Sequence, residues 1–122
     1  MLWEELTAPE FAAAVKSAGA CIVPLGVIEK HGDHLPLGTD LINVRALAIK
    51  AAAIEPAIVF PPYYFGQICE ARHQPGTLAF HGGFLLEALR GICAEIARNG
   101  LRKIILLNGH GGNIHLLSSS FN

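Results

Sequence analysis

Two consecutive stretches decide the fold of this chain: Ala20-Cys-Ile-Val-Pro-Leu-Gly-Val-Ile28 and, directly behind it, Glu29-Lys-His31-Gly-Asp-His34-Leu-Pro-Leu-Gly-Thr-Asp40. The first is an apolar run, which is typical of a strand buried on both faces of a sheet. The second is polar and carries two carboxylates and an imidazole at positions i, i+2 and i+11. Carboxylates mixed with imidazoles suit Zn²⁺, Mn²⁺ or Fe²⁺. The junction therefore predicts a buried strand that leads into most of a metal site.

Helices and strands alternate along the rest of the chain. Thr7-Ala-Pro-Glu10 is a capping box with proline in the first turn, and it predicts a helix through Val15 that Gly19 ends. The later predicted elements are a helix from Leu41 to about Ala53 capped by Asp40, a strand over Ala57–Phe60, a helix with Leu85, Leu89, Ile92 and Ile96 on one face that Asn99-Gly100 ends, a strand over Lys103–Leu107 and a helix over Ile114–Phe121. This order, α-β-α-β-α-β-α, predicts an α/β fold with a parallel sheet and helices on its faces.

A second polar segment, Asn108-Gly-His110-Gly-Gly-Asn113, follows the third predicted strand. In parallel sheets, binding sites gather at the carboxyl ends of the strands. Glu29 and His31 follow the first strand and His110 follows the third, so both polar segments should lie at the same edge of the sheet. We therefore expect them to form one site.

Each candidate ligand also has an ordinary structural interpretation. Asp40 is a favoured residue for a helix N-cap, although a carboxylate has two oxygens and can both cap and bind. Glu29 can be a surface residue at a strand end, and His31 and His34 can be loop histidines. A metal site is the better explanation of the joint pattern, because two carboxylates and two histidines would rarely occur together at strand ends by chance.

The glycines of the second polar segment, Gly109, Gly111 and Gly112, allow two other interpretations. They can permit φ > 0 in a tight turn, or they can cradle a phosphate at a helix N-terminus. The dinucleotide pattern GxGxxG is not met, which disfavours a nucleotide site.

Other polar side chains have weaker signals. A loop of roughly 15 residues after the second strand is long enough to be functional. His73 in this loop is expected to touch substrate or to satisfy loop carbonyls. His81 is expected to be a structural or surface histidine and His115 to face outward. Tyr63 and Tyr64 are expected to pack or to place a hydroxyl at a pocket rim.

Composition excludes several classes of protein. The 122 residues make one domain, 52% hydrophobic and 16% charged, with a net charge of −1. This apolar content fits faces covered by more chain or by other subunits. No basic footprint for nucleic acid or membrane is present. The three cysteines, Cys21, Cys69 and Cys93, form no CxxC pair, and two of them lie in apolar patterns, which predicts reduced, buried thiols and a cytoplasmic protein. The N-terminus lacks the features of a signal peptide.

Together the segments closely resemble the creatininase family, the creatinine amidohydrolase-like metal hydrolases. The resemblance rests on Pro24-Leu-Gly-Val-Ile-Glu29-Lys-His31 through Asp40, on Glu70-Ala-Arg-His73-Gln-Pro-Gly76-Thr77 and on Asn108 through Asn113. One departure is Asp33, where the family usually has proline. The resemblance covers about residues 6–122 and implies a three-layer α/β/α sandwich that lacks its C-terminal part, residues 1–122 being a single domain.

The resemblance also implies a set of residue roles. It places two divalent metal ions (Zn, Mn or Fe) on Glu29, His31, Asp40 and His110, with Asp40 bridging them. Creatininase has a glutamate two places after the later histidine, where this chain has Gly112; relatives with this form draw a glutamate from a later motif. The catalytic acid/base is then left unassigned, with His34 and His73 as candidates.

The activity expected from the resemblance is cleavage of a non-peptide or cyclic amide C–N bond by a metal-activated hydroxide. The partners expected are a small-molecule amide substrate and further copies of the chain, as a homo-oligomer that is a hexamer in relatives. An alternative hypothesis is a catalytically incomplete fragment or subunit that needs a partner chain to complete its metal site.

Overall fold

The computed structural model describes residues 1–120, and side chains as far as Ser119. Its helices are α1 (Ala8–Ala18), α2 (Thr39–Ile54), α3 (Gly82–Arg98) and α4 (Ile114–Ser120), its strands are β1 (Ala20–Leu25), β2 (Ile58–Val59) and β3 (Lys103–Asn108), and short 3₁₀ turns cover Trp3–Glu5, Cys69–Ala71 and Gly111–Asn113. Every predicted element is present in the predicted order. Phe121, predicted as the last residue of α4, lies outside the described residues.

The three strands form a parallel sheet in the order β2-β1-β3. Because β1 is central, it is hydrogen-bonded on both sides, and its residues from Cys21 to Leu25 are all buried. The apolar run thus becomes the doubly covered strand that the sequence predicts. The register pairs Ala20 with Lys103 and Leu25 with Asn108, so β1 and β3 end side by side.

Helices cover both faces of the sheet. On one face Cys21, Val23 and Leu25 pack with residues of α1 and α3, including Leu89 and Ile96. On the other face Ile22 packs with two alanines of α2, Ala48 and Ala52. Alternate residues of a strand point to opposite faces, and this alternation builds the two cores. The predicted three-layer α/β/α sandwich is confirmed.

The helix signals near the N-terminus are also confirmed. The Glu10 carboxylate accepts hydrogen bonds from the backbone N–H and the hydroxyl of Thr7, at 2.8 and 2.7 Å. Helix α1 ends at Gly19, whose φ of 69° is the left-handed conformation that glycine adopts without strain.

The predicted start of α2 is wrong by two residues. The helix begins at Thr39 with Gly38 as its N-cap residue, so Asp40 lies inside the first turn instead of capping it. Aspartate is favoured both at the N-cap of a helix and in its first turn. These positions are adjacent in sequence, so the residue type alone does not distinguish them. The Asp40 carboxylate is therefore free of the helix terminus and points to other partners.

Several large apolar side chains are exposed on α2 and β3. They include Ile42, Leu47, Ile54 and Ile105, whose exposed fractions are 59%, 55%, 86% and 50%. Cover by more chain or by other subunits, including the homo-oligomer, stays a prediction. Within residues 1–120, every helix is too short or too polar to cross a lipid bilayer.

The three thiols should react at very different rates. Cys21 is fully buried, and burial raises its pKa to about 12, whereas Cys69 is exposed and Cys93 is half-buried. Only the thiolate reacts, so a disulfide reagent such as DTNB should modify Cys69 at once and Cys21 only after unfolding in urea. A Cys69→Ser variant should lose the fast phase; fast labelling of Cys21 in the native protein would contradict the packing described above.

Candidate metal centre

Segments from β1, α2 and β3 meet at the carboxyl edge of the sheet. The chain leaves β3 through Gly109, whose N–H donates to the carbonyl of Leu25 at 2.8 Å, so both strands end at the same level. The loop after β1 folds back on itself, because the N–H of Glu29 donates to the carbonyl of Leu37 at 2.9 Å. This return brings the first turn of α2, with Asp40, over the strand ends. The sequence prediction that both polar segments lie at one edge is confirmed.

All four predicted ligands come together here. The two oxygens of Asp40 face two different imidazoles: Oδ1 lies 3.1 Å from Nε2 of His31, and Oδ2 lies 2.9 Å from Nδ1 of His110. A carboxylate oxygen of Glu29 lies 3.5 Å from the same Nδ1 of His110. The side chains of Glu29, Asp40 and His110 are 15%, 17% and 8% exposed, so little water screens their charges.

Each imidazole uses its other nitrogen on a backbone carbonyl. Nδ1 of His31 donates to the carbonyl of Glu29, and Nε2 of His110 donates to the carbonyl of Gln67, both at 2.9 Å. In a neutral imidazole the second nitrogen is then an unprotonated acceptor. Two such acceptors aimed at one carboxylate would repel it, so the arrangement requires a positive charge between each pair, as a proton or a metal ion. Histidine metal ligands are typically oriented in this way.

The pKa of His31 is raised, first by its hydrogen bond to the Glu29 carbonyl and then by the negative charges of Asp40 and Glu29, against an opposing effect of burial. A metal ion must displace the proton, so protons compete with metal at this imidazole. In the metal-free protein the protonated form stabilises the fold fully below the ordinary pKa near 6.5. This contribution is lost as pH rises through the raised pKa.

Two overlapping groups of side chains could hold metal ions within residues 1–120. One is Glu29, His31 and Asp40, and the other is Glu29, Glu70 and His110; in each group one ligand atom per residue lies within 4.8 Å of the others. Glu70 lies in the loop after β2, within a stretch that carries the family resemblance, and it is not among the predicted ligands. One feature of the sequence could have indicated a role for Glu70: its loop follows the carboxyl end of β2, at the same edge of the sheet as the other ligands.

The candidate catalytic histidines lie apart from these two groups. His34 is exposed in the loop after β1, and His73 is exposed in the loop after β2, where its Nε2 contacts the side-chain amide of Gln74 at 2.9 Å. Their catalytic role stays a prediction. His81 and His115 are exposed, as expected, and Tyr63 is a buried core residue whose burial raises its pKa to about 12.

Two asparagines shape the turn that carries His110. The side chain of Asn108 accepts from the N–H of His110 at 3.2 Å and donates to its carbonyl at 2.8 Å. Asn113, which is 1% exposed, donates to Asn108 and accepts from the N–H of Gln67 at 3.0 Å. The turn is thereby tied to the loop after β2. These roles were not predicted; Asn108 acts on a residue two positions away, whereas the bond from Gln67 to Asn113 joins residues 46 positions apart.

Two glycines of this turn, Gly109 and Gly112, are needed for space rather than for φ. None of Gly109, Gly111 and Gly112 has a positive φ, so the interpretation as a φ > 0 turn is wrong. A Cβ on Gly109 would lie 2.6 Å from Cβ of Val44, and one on Gly112 would lie 2.5 Å from the Gln67 carbonyl oxygen and 2.6 Å from Nε2 of His110. Gly112 thus lets the hydrogen bond between Gln67 and His110 form.

Gly112→Ala should destabilise the protein by about 1–3 kcal/mol, because the new methyl group must displace a backbone carbonyl or the imidazole. Urea unfolding of the two proteins measures this difference. Gly111→Ala is the matched control, since a Cβ there meets nothing within 4 Å, and it should change stability by no more than about 0.5 kcal/mol. Equal effects of the two substitutions would contradict the close packing at position 112.

Comparison with known proteins agrees with this geometry. Residues 4–122 match the model of the creatininase family, described as creatinine amidohydrolase. The chain belongs to the creatininase family. It is 34% identical over 116 residues to the creatinine amidohydrolase of Pseudomonas putida, covering 89% of this chain and 44% of that protein. It is 36% identical over 105 residues to the mycofactocin precursor peptide peptidase of Mycolicibacterium smegmatis, covering 81% and 42%. The chain thus spans less than half the length of these creatininase-family relatives.

Solved structures in the family have the same fold. A crystal structure of creatinine amidohydrolase superposes with a TM-score of 0.90 at 29% identity, covering 98% of this chain and 48% of that one. Two further creatininase structures, described as a Zn-Zn type and as creatininase Mn, give TM-scores of 0.89 and 0.87 at 29% identity. Each covers 98% of this chain, and 48% and 49% of the other, respectively.

Proposed function

We propose that this chain carries the metal centre of a metal-dependent amidohydrolase that cleaves a non-peptide or cyclic amide C–N bond. One observation carries the proposal. The two oxygens of Asp40 face two imidazoles, and each imidazole is fixed by a backbone carbonyl so that its other nitrogen points at the carboxylate. A pair of cations resolves the repulsion that this arrangement would otherwise have.

The residues present fit two divalent ions. His31 and Oδ1 of Asp40 would hold one ion, and His110 and Oδ2 of Asp40 would hold the other, so that Asp40 bridges them. Glu29 belongs to both groups of candidate ligands. Imidazole and carboxylate donors suit Zn²⁺, Mn²⁺ and Fe²⁺. The Zn-Zn and Mn forms of creatininase support the first two of these metals.

When bound, such ions would lower the pKa of water to about 7 and polarise a carbonyl oxygen, which is the chemistry that amide hydrolysis needs. The protein's part is to keep the ligands in place. The carbonyls of Glu29 and Gln67 fix the two imidazoles, and the low exposure of Asp40 and His110 limits screening of their charges. His34 and His73 remain the candidates for moving a proton to the leaving nitrogen.

The names of two relatives support an amide as substrate. One is a creatinine amidohydrolase and another is a peptidase, so both act on C–N bonds of the amide type. The two differ in substrate although each is about one-third identical to this chain. We therefore propose the bond type, and a small amide such as creatinine is the first compound to assay.

The test is hydrolysis by the protein loaded with Zn²⁺ or Mn²⁺, followed as product release from creatinine and from a panel of small cyclic and linear amides. Activity that disappears with a chelator, and returns with metal, is the expected result. Metal binding without hydrolysis of any amide would overturn the proposed activity while leaving the metal centre intact.

A second candidate function is a subunit or piece whose metal site needs further chain to complete it. The share of its relatives that this chain spans, 44% and 42%, favours this alternative. Adding in trans the region of a family member that this chain does not span should then restore hydrolysis to a metal-loaded but inactive chain. Activity of the chain alone would exclude it.

A further inference from the structure

A carboxylate outside the predicted ligand set borders the metal centre. Glu70 lies in the 3₁₀ turn Cys69–Ala71, and one of its ligand atoms is within 4.8 Å of ligand atoms of Glu29 and His110. Two carboxylates and an imidazole are a complete set of three protein ligands for a catalytic zinc-type site, which keeps its fourth position open. The segments that follow the carboxyl ends of the three strands thereby each contribute a ligand.

The loop that carries Glu70 is anchored to the metal centre by its own backbone. The N–H of Gln67 donates to the buried side chain of Asn113 at 3.0 Å, and the carbonyl of Gln67 accepts from Nε2 of His110 at 2.9 Å. The second bond also turns Nδ1 of His110 toward the carboxylates. Gln67 thus orients the imidazole of His110. It also fixes the position of the segment that reaches Glu70 three residues later.

Position 112 cannot supply a ligand in this backbone. Any side chain there would begin with a Cβ that overlaps both partners of the hydrogen bond between Gln67 and His110. A ligand has to approach from another element, and Glu70 comes from the loop that packs over Gly112.

Charge and access agree with this role. Two divalent ions carry four positive charges, against two negative charges on Glu29 and Asp40, so a third carboxylate reduces the excess. Glu70 and Gly112 also line a cavity of about 470 Å³ together with His115. A ligand at the wall of a cavity leaves the open coordination position accessible from solvent.

We propose that Glu70 is a metal ligand, binding the ion that Glu29 and His110 hold. This inference rests on the proposed metal centre. It assigns a binding role to the loop after β2 and predicts that the two ions differ in their dependence on this loop.

The test is metal titration of the full chain against a chromophoric chelator, together with the visible absorption spectrum of the Co²⁺-loaded protein. Glu70→Gln should weaken one of the two binding steps at least tenfold, leave the other nearly unchanged and alter the Co²⁺ spectrum. Glu55→Gln is the matched control, because Glu55 is an exposed carboxylate beyond the end of α2, at the opposite edge of the sheet. Glu70→His, which keeps a donor atom, should recover part of the lost affinity.

Unchanged affinities and spectrum in Glu70→Gln would overturn the assignment of Glu70 and leave the metal centre standing. An equal loss of metal affinity in Glu70→Gln and Glu70→His, with native circular dichroism in both, would also overturn the assignment of Glu70. A purely structural role would not depend on the metal-binding atom that histidine restores. Failure of the unsubstituted chain to bind any metal would overturn this inference and would favour the second candidate function, in which further chain completes the metal site.

Discussion

Asp40→Ala should remove both metal ions from the protein. Each oxygen of Asp40 faces a different imidazole, at 3.1 and 2.9 Å, so the substitution takes one ligand from each ion and also the charge that both share. Loss of an outer-shell partner alone costs roughly 10–100-fold in metal affinity, and loss of a bridging ligand should exceed that for both ions. Metal content per chain, measured by plasma mass spectrometry after purification without chelator, gives the result directly.

Asp33→Ala is the control for Asp40→Ala. Asp33 lies in the same loop region, but its side chain is 94% exposed and is paired with Lys30 at 3.0 Å. This variant should retain the metal content of the unsubstituted protein. Full metal content in Asp40→Ala would contradict the bridging role, and loss of a single ion would place Asp40 on one ion only.

The sheet and its helices were predictable from sequence because each element has a local signal. The apolar run before Glu29 marks the central strand, and the 3.6-residue spacing of Leu85, Leu89 and Ile96 marks the buried face of α3. Parallel topology then places the ends of β1 and β3 at one edge. The meeting of Glu29 and His31 with His110 follows from this topology, without knowledge of any contact.

The role of Glu70 was not predicted from sequence, because the position of this residue depends on contacts distant in the chain. Glu70 lies in a loop without periodicity, and its position depends on bonds from Gln67 to partners 43 and 46 residues away. The start of α2 was misplaced for a different reason, because Asp40 suits both the cap and the first turn. The way in which the loop after β1 folds back decides whether Asp40 occupies the cap or the first turn.

Gly26→Ala should be among the most destabilising single substitutions in the chain. A Cβ on Gly26 would lie 2.4 Å from Cα and 2.8 Å from the backbone nitrogen of Leu41, distances at which the backbone itself has to move. Overpacking usually costs about 1–3 kcal/mol and more when no flexible side chain can yield, so we expect about 3 kcal/mol or more. Urea unfolding, monitored by circular dichroism, measures the change.

The same substitution should weaken metal binding although Gly26 has no ligand atom. Leu41 follows Asp40 directly, so the added methyl group would push the first turn of α2, and the bridging carboxylate with it, away from the strand ends. A steric effect on stability alone would leave metal affinity unchanged in the fraction that stays folded. Titration with Zn²⁺ below the unfolding range of urea separates the two effects, and we expect both.

Gly91→Ala provides the comparison that makes the Gly26 result specific. Gly91 lies within α3, and a Cβ there meets nothing within 4 Å. Replacing a helix-interior glycine by alanine at an open position should stabilise the protein by about 0.5–1 kcal/mol, the opposite sign to Gly26→Ala, and should not change metal affinity. An equal loss of stability in both variants would contradict the proposal that the close approach of Gly26 to Leu41 positions Asp40 at the metal centre.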